Sequence, residues 1–249
     1  MNKQVIPYIL AGYPDLQTTE ELLRHCYQIG IRYIELGLPF SDPSADGPII
    51  QVAAAQACQH FDLNDLLIML HRLKKDGVHL ELTLMTYANP IFSYGIHDLL
   101  SFFGDVGVKG LLIPDIPFEE REFILHHFEK NTSIKLVWMI SENLSDAQLR
   151  SITHHAHYYL YLVSYLGTTG KTISGHARLK EVVSTIKAVK NIPVAVGFGI
   201  KNKTDVQTIL AFADGAVIGT SLIEALQKGG LPVAREFLGQ LIDSRLGHA

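Results

Sequence analysis

Cysteine is scarce: Cys26 and Cys58 are the only two in 249 residues. Both fall in helix-like segments without metal-ligand spacing, a pattern that points to a reducing, cytoplasmic setting. Charge is scarce too, at 18% of residues, with a net of −4 and an isoelectric point near 6.3. There is no basic run, which argues against a nucleic-acid partner. No apolar run approaches the roughly 18 residues of a membrane helix, and residues 1–7 lack a signal-peptide pattern. No G-x-G-x-x-G opens a helix after the first strand-like run, and Gly197-Phe198-Gly199 comes late and lacks the third glycine. Nucleophilic catalysis finds no G-x-S-x-G elbow and no cysteine at a predicted strand end. A Schiff-base lysine finds only Lys135, at the very start of the fifth strand.

What is present is apolar and periodic. Hydrophobic residues make up 47% of the chain, enough for one sizeable core. Continuous apolar runs, as in buried parallel strands, predict strands over 6–12, 31–37, 79–86, 110–114, 134–140, 157–164, 193–200 and 215–219. Helical patterns lie between them, over 18–30, 48–60, 63–76, 95–103, 118–130, 145–154, 175–190, 203–212, 221–228 and 232–246, with Thr18 or Thr19 capping the first. Eight β-α units without a linker predict a single-domain (β/α)8 TIM barrel over residues 1–249. A doubly wound open sheet is the rival and would show fewer strands.

In such a barrel the loops after the strands build the site. Tyr33-Ile34-Glu35-Leu36-Gly37 puts an acid inside an apolar strand, on the face opposite Ile34 and Leu36. A carboxylate there is costly unless it is paired or used. Asp42 and Asp46 follow on a Pro/Gly-rich loop, close enough to share the site. Carboxylates in different environments can divide acid and base roles. Gly199 and the Gly219-Thr220-Ser221 step, after strands seven and eight, suit a phosphate held by amides at a helix start. Residues 167–175, rich in glycine and threonine, fit a lid or an ordinary surface loop. The twelve histidines include the adjacent pairs His126-His127 and His154-His155. Helix neighbours point about 100° apart, so the pairs read as solvated faces and no metal site is expected. The residues alone leave four readings: acid–base chemistry on a phosphorylated small molecule, an isomerase of similar substrates, a regulator of a partner enzyme, and a phosphometabolite-binding module.

The segment from Glu35 through Pro39-Phe40-Ser41-Asp42-Pro43-Ser44-Ala45-Asp46-Gly47 resembles the signature of the tryptophan synthase alpha chain family. Met85-Thr86-Tyr87-Ala88-Asn89-Pro90, Pro114-Asp115-Ile116-Pro117, Thr169-Gly170 and Val196-Gly197-Phe198-Gly199-Ile200 match in the same order across nearly the whole chain. The resemblance implies a TIM barrel that cleaves indole-3-glycerol phosphate to indole and glyceraldehyde 3-phosphate, without a cofactor on this chain. It implies Glu35 as general acid/base and Asp46 as acceptor for the indole N–H. Tyr8, Met85 and Tyr161 would line the indole pocket, and Thr169 would be the lid threonine. Gly170, Gly199, Gly219 and Thr220 would hold phosphate. It also implies a heterotetramer with a beta chain that carries pyridoxal phosphate, with Asp42, Pro43, Asn89, Pro90 and Phe92 as contact candidates on loops. Three departures stand out: a short segment before the first strand, Ser44 in place of an apolar residue, and Thr168 where valine is commoner.

Overall fold

The computed structural model describes residues 1–128, 133–163, 174–197 and 199–242, the side chains of 174–176 excepted. Within them the strands β1 (Gln4–Leu10), β2 (Tyr33–Gly37), β3 (Glu81–Met85), β4 (Val108–Leu112), β5 (Lys135–Ser141), β6 (Leu160–Val163), β7 (Val194–Gly197) and β8 (Gly215–Ile218) close a parallel barrel in sequence order. The last seam pairs Gln4 with Gly215 through Pro7 with Ile218. Around the barrel run α1 (Leu16–Gln28), α2 (Pro48–Ala57), α3 (Leu63–Lys75), α4 (Ala88–Tyr94), α5 (Ile96–Val106), α6 (Arg121–Leu125), α7 (Asp146–His155), α8 (Ser174–Val189), α9 (Lys203–Leu210) and α10 (Thr220–Leu241). This is a single-domain (β/α)8 TIM barrel.

The strands are buried on both faces, which explains their unbroken apolar sequences. One face fills the barrel and the other packs under helices through residues such as Leu22, Leu23, Leu66 and Leu70. Each such leucine contributes about 1.5–3 kcal/mol by leaving water. Polar devices then fix where helices start. Asp62 caps α3 by accepting from the amides of Asn64 and Asp65. Ser145 and Gln148 form a capping box on α7. The cap of α1 is Asp15, which accepts from the Thr18 amide, rather than Thr18 or Thr19. Thr19 is instead buried, and its hydroxyl accepts from the Gly12 amide. Ion pairs tie the outer ring: Glu20 of α1 binds both Arg24 and Arg72 of α3, and Arg24 also reaches Asp76.

Two further expectations change. Asn89, Pro90 and Phe92 lie on a short helix, α4, rather than on a loop. Pro90 occupies the third position of that helix, within the first turn, where its missing N–H breaks no intrahelical bond. The helix expected over 118–130 is not continuous in its described part, 118–128: a 3-10 turn at Phe118–Glu120 leads into the five-residue α6. The two closing helices are joined as α10 across a kink at Gly229 and Gly230, where Gly230 takes a φ of 63°. Among the described residues no helix is long and apolar enough to cross a membrane.

Candidate active site

Register places the central acid. Tyr8, Glu35 and Thr83 are direct partners across β1, β2 and β3. Partners on neighbouring parallel strands point to the same face, and here that face is the barrel interior. Glu35 is 1% exposed, and its Oε2 has no hydrogen-bond partner among the described residues. Burial is the main cause that pushes its pKa from 4.5 to about 8, and the neighbouring Asp46 charge adds to it. At neutral pH this carboxyl therefore holds a proton.

Asp46 is handled differently. It sits half-buried on the loop between β2 and α2. Its Oδ2 accepts a hydrogen bond from the Tyr87 hydroxyl at 2.7 Å. The same hydroxyl accepts from the Ala45 amide at 3.2 Å. Burial raises the Asp46 pKa and the Tyr87 bond lowers it. Tyr87 is thus the clasp that joins the loop after β2 to the one after β3, and its ring packs on Phe40 at 5.3 Å. Tyr87 was not singled out as a site residue from sequence. The available signal was its place in the segment immediately after an inward-facing strand end. Asp115 extends the clasp by accepting from the Ala88 amide at the start of α4.

Two more phenols complete the mouth. Tyr8 and Tyr161 are buried, and both pKa values lie well above 10, chiefly through burial and then through Asp46 and Glu35 respectively. Both stay protonated. Each needs a glycine beside it: a Cβ at Gly37 would collide with the Tyr8 hydroxyl, and one at Gly197 with the Tyr161 hydroxyl. Met85 closes the same side at the end of β3, with its carbonyl accepting from the Leu38 amide at 2.9 Å. Deeper in the barrel lies Tyr159, also buried, which is hydrogen-bonded to Thr83 and feels the Glu35 charge. Sequence reading passed over this residue because it is one more aromatic in an apolar strand.

After β8, the neighbour of β1, Gly219 is the N-cap of α10 and makes no side-chain capping bond. The helix start therefore presents amide N–H groups with a favourable dipole. Gly219 packs on Tyr8, with an added Cβ meeting the Tyr8 Cβ at 3.3 Å, so the glycine step borders the aromatic mouth. Gly199 takes a φ of 73° with open space where a Cβ would stand. The Ser221 hydroxyl is committed to the Ile200 carbonyl at 3.2 Å, whereas the Thr220 hydroxyl has no partner among the described residues. Thr169, Gly170 and nearly all of residues 167–175 lie outside the described residues.

Of the candidate contacts, Asp42 and Asn89 are exposed, Phe92 is 38% exposed, Pro90 is half-buried and Pro43 is buried. Pro43 works inward: its carbonyl accepts from the Asp46 amide at 3.0 Å and shapes the acid's loop.

The arrangement pairs a proton-loaded carboxyl with a tethered one at the mouth of a barrel lined by aromatic rings. The sequence matches the family model described as "Tryptophan synthase alpha chain" over residues 1–237. The tryptophan synthase alpha chain of Petrotoga mobilis is 35% identical over 228 residues, 91% of this chain and 88% of its own length. That of Nitrosomonas europaea is 36% identical over 245 residues, 96% and 87% of the two chains. Among solved structures, tryptophan synthase subunit alpha from Campylobacter jejuni superposes with a TM-score of 0.87 at 32% identity, over 97% of this chain and 96% of that one. A chain of the tryptophan synthase a2b2 complex of Pyrococcus furiosus gives 0.85 at 30% identity, over 96% and 98%.

Proposed function

Because this chain belongs to the tryptophan synthase alpha chain family, we propose that it splits indole-3-glycerol phosphate into indole and glyceraldehyde 3-phosphate, with Glu35 and Asp46 in separate roles. The observation that carries the assignment of roles is the buried oxygen of Glu35, without a partner among the described residues, on a carboxyl that keeps its proton up to a pH of about 8. Glu35 gives that proton to the indole ring carbon that bears the glycerol phosphate chain. The ring becomes an indolenine cation, and its N–H hydrogen-bonds to Asp46, which stabilises the positive charge. The carbon–carbon bond then breaks. Its electron pair returns to the ring, and the adjacent side-chain hydroxyl loses its proton to become the aldehyde. Glu35, now a carboxylate, is the base that takes that proton back, so the proton account closes on one residue.

Tyr87 holds Asp46 in its accepting position, while Tyr8, Met85 and Tyr161 shape the slot for the indole ring. Phosphate lies on the amides of Gly170, of Gly199 after β7, and of Gly219 and Thr220 at the start of α10. Thr169 is expected to add to the closure. No cofactor is needed on this chain. The partner is a tryptophan synthase beta chain carrying pyridoxal phosphate, in an a2b2 assembly, with Asp42, Asn89, Pro90 and Phe92 on the contact side. A cytoplasmic location accords with the free thiols of Cys26 and Cys58.

The test is indole release from indole-3-glycerol phosphate, measured with and without the beta chain. The proposal expects release by the chain alone and faster release in the complex. A chain that binds the phosphate ester and forms no indole in either condition refutes the reading.

A further inference from the structure

Two histidines thirty residues apart in sequence meet on the outer surface, beside Phe92. His97 is the second residue of α5, and His127 follows α6. Nδ1 of His127 stands 3.4 Å from Nε2 of His97. The ring centres are 5.1 Å apart, with the planes at 62°. That nitrogen separation is long for a hydrogen bond, which closes to about 2.7–3.2 Å. It matches two imidazoles on one tetrahedral ion: with each nitrogen about 2.05 Å from the metal, the nitrogens stand about 3.4 Å apart and the ring centres about 5.2 Å apart.

We propose that His97 Nε2 and His127 Nδ1 form a surface binding site for a divalent transition ion of the zinc, nickel and copper class. The adjacent pair His126-His127 does not converge on an ion; the convergence comes from a different helix. His127 is held in place by its neighbours. Its ring lies 3.7 Å from that of His126 and 6.2 Å from that of Phe92, which in turn packs on Phe123 at 5.2 Å. A ring already ordered loses little freedom when it takes a ligand. Nδ1 of His126 faces the Glu122 carbonyl at 3.4 Å, turned to its own helix. Among the described residues no group of three or more ligating side chains gathers here. The remaining positions on the ion fall to water or to a donor from another molecule, so the site is exchangeable rather than structural. Imidazole pairs select late first-row ions and ignore magnesium and calcium, which take oxygen ligands.

The experiment titrates zinc into the metal-free full chain against a chromophoric chelator, while NMR follows the histidine ring protons. The same titration is run on His97→Ala, His127→Ala and His126→Ala. The proposal expects zinc to perturb the His97 and His127 resonances first. It expects affinity to fall by more than about tenfold in either ligand variant, at least the loss seen for supporting partners of metal ligands, and to fall by less in His126→Ala, which removes only a packing neighbour of His127. His97 is exposed, and unchanged melting of its variant shows that any loss is local. Unchanged affinity in His97→Ala or His127→Ala overturns the site, and so does an equal loss in His126→Ala.

Discussion

Strand β2 and the loop that follows it hold the same functional group in opposite conditions. Glu35 is fixed on a strand, sealed from water, and has an oxygen without a partner among the described residues. Asp46 sits eleven residues later on a half-buried loop, and the Tyr87 hydroxyl hydrogen-bonds to its oxygen. Burial raises both pKa values, but for Asp46 a hydrogen bond to the charged form opposes the rise. On the proposed assignment, one phenol and a difference in burial, rather than the choice of Glu over Asp, separate the proton donor from the acceptor.

The largest break in that comparison is Glu35→Gln. The amide keeps the shape and cannot cycle a proton, so indole release should fall by about 10³-fold or more, within the range for a lost general acid. Folded-state circular dichroism guards against unfolding, and near-normal turnover would remove Glu35 from the chemistry. The same substitution has a stability signature of comparable size. Glu35 has a pKa of 4.5 when unperturbed and about 8 in the folded chain. Between those values the folded chain binds more protons than the unfolded one, so stability declines as pH rises through the window. The cost is fully developed above a pH of about 8 and is on the order of 5 kcal/mol. Thermal melts between mildly acidic and alkaline pH should show this decline, and Glu35→Gln should flatten it.

Asp46→Asn comes next. It keeps a hydrogen-bond acceptor and loses the negative charge proposed to face the indolenine cation, so turnover should drop by about 10²-fold, typical of a lost electrostatic stabiliser. The steady-state assay should show the loss in kcat and in kcat/KM alike. Tyr87→Phe is the mildest. It removes one hydrogen bond to a charged oxygen, worth about 1.5–3 kcal/mol, and frees the Ala45 amide. Turnover should fall by about tenfold, and the pH limb set by Asp46 should move upward. A Tyr87→Phe enzyme with an unchanged pH profile would show that the clasp does not tune the acid.

Much of this contrast was legible in the chain. Eight apolar runs separated by helical patterns gave the barrel, because parallel strands buried on both faces cannot alternate in polarity. An acid in the middle of such a run marked Glu35 by the cost of placing it there. Legibility ended where a residue's task depends on another loop. Tyr87 meets Asp46 across 41 positions, and nothing local marks its hydroxyl. The cap at Asp15 was masked by Thr18 and Thr19, which have the same chemistry nearby. α4 was hidden because Asn89-Pro90 reads as a turn, although proline is tolerated in a first helical turn. The pairing of His97 with His127 crosses two helices and follows from packing alone.

The central claim is that Glu35 is protonated at neutral pH because the barrel buries it. Titrating the chain with carbon-13 at the glutamate side-chain carboxyls, with Glu35→Gln to assign the signal, tests this directly. The account predicts one carboxyl that titrates near a pH of 8, absent from the variant. A Glu35 signal that titrates in the ordinary glutamate range, at about 4–5, would contradict it.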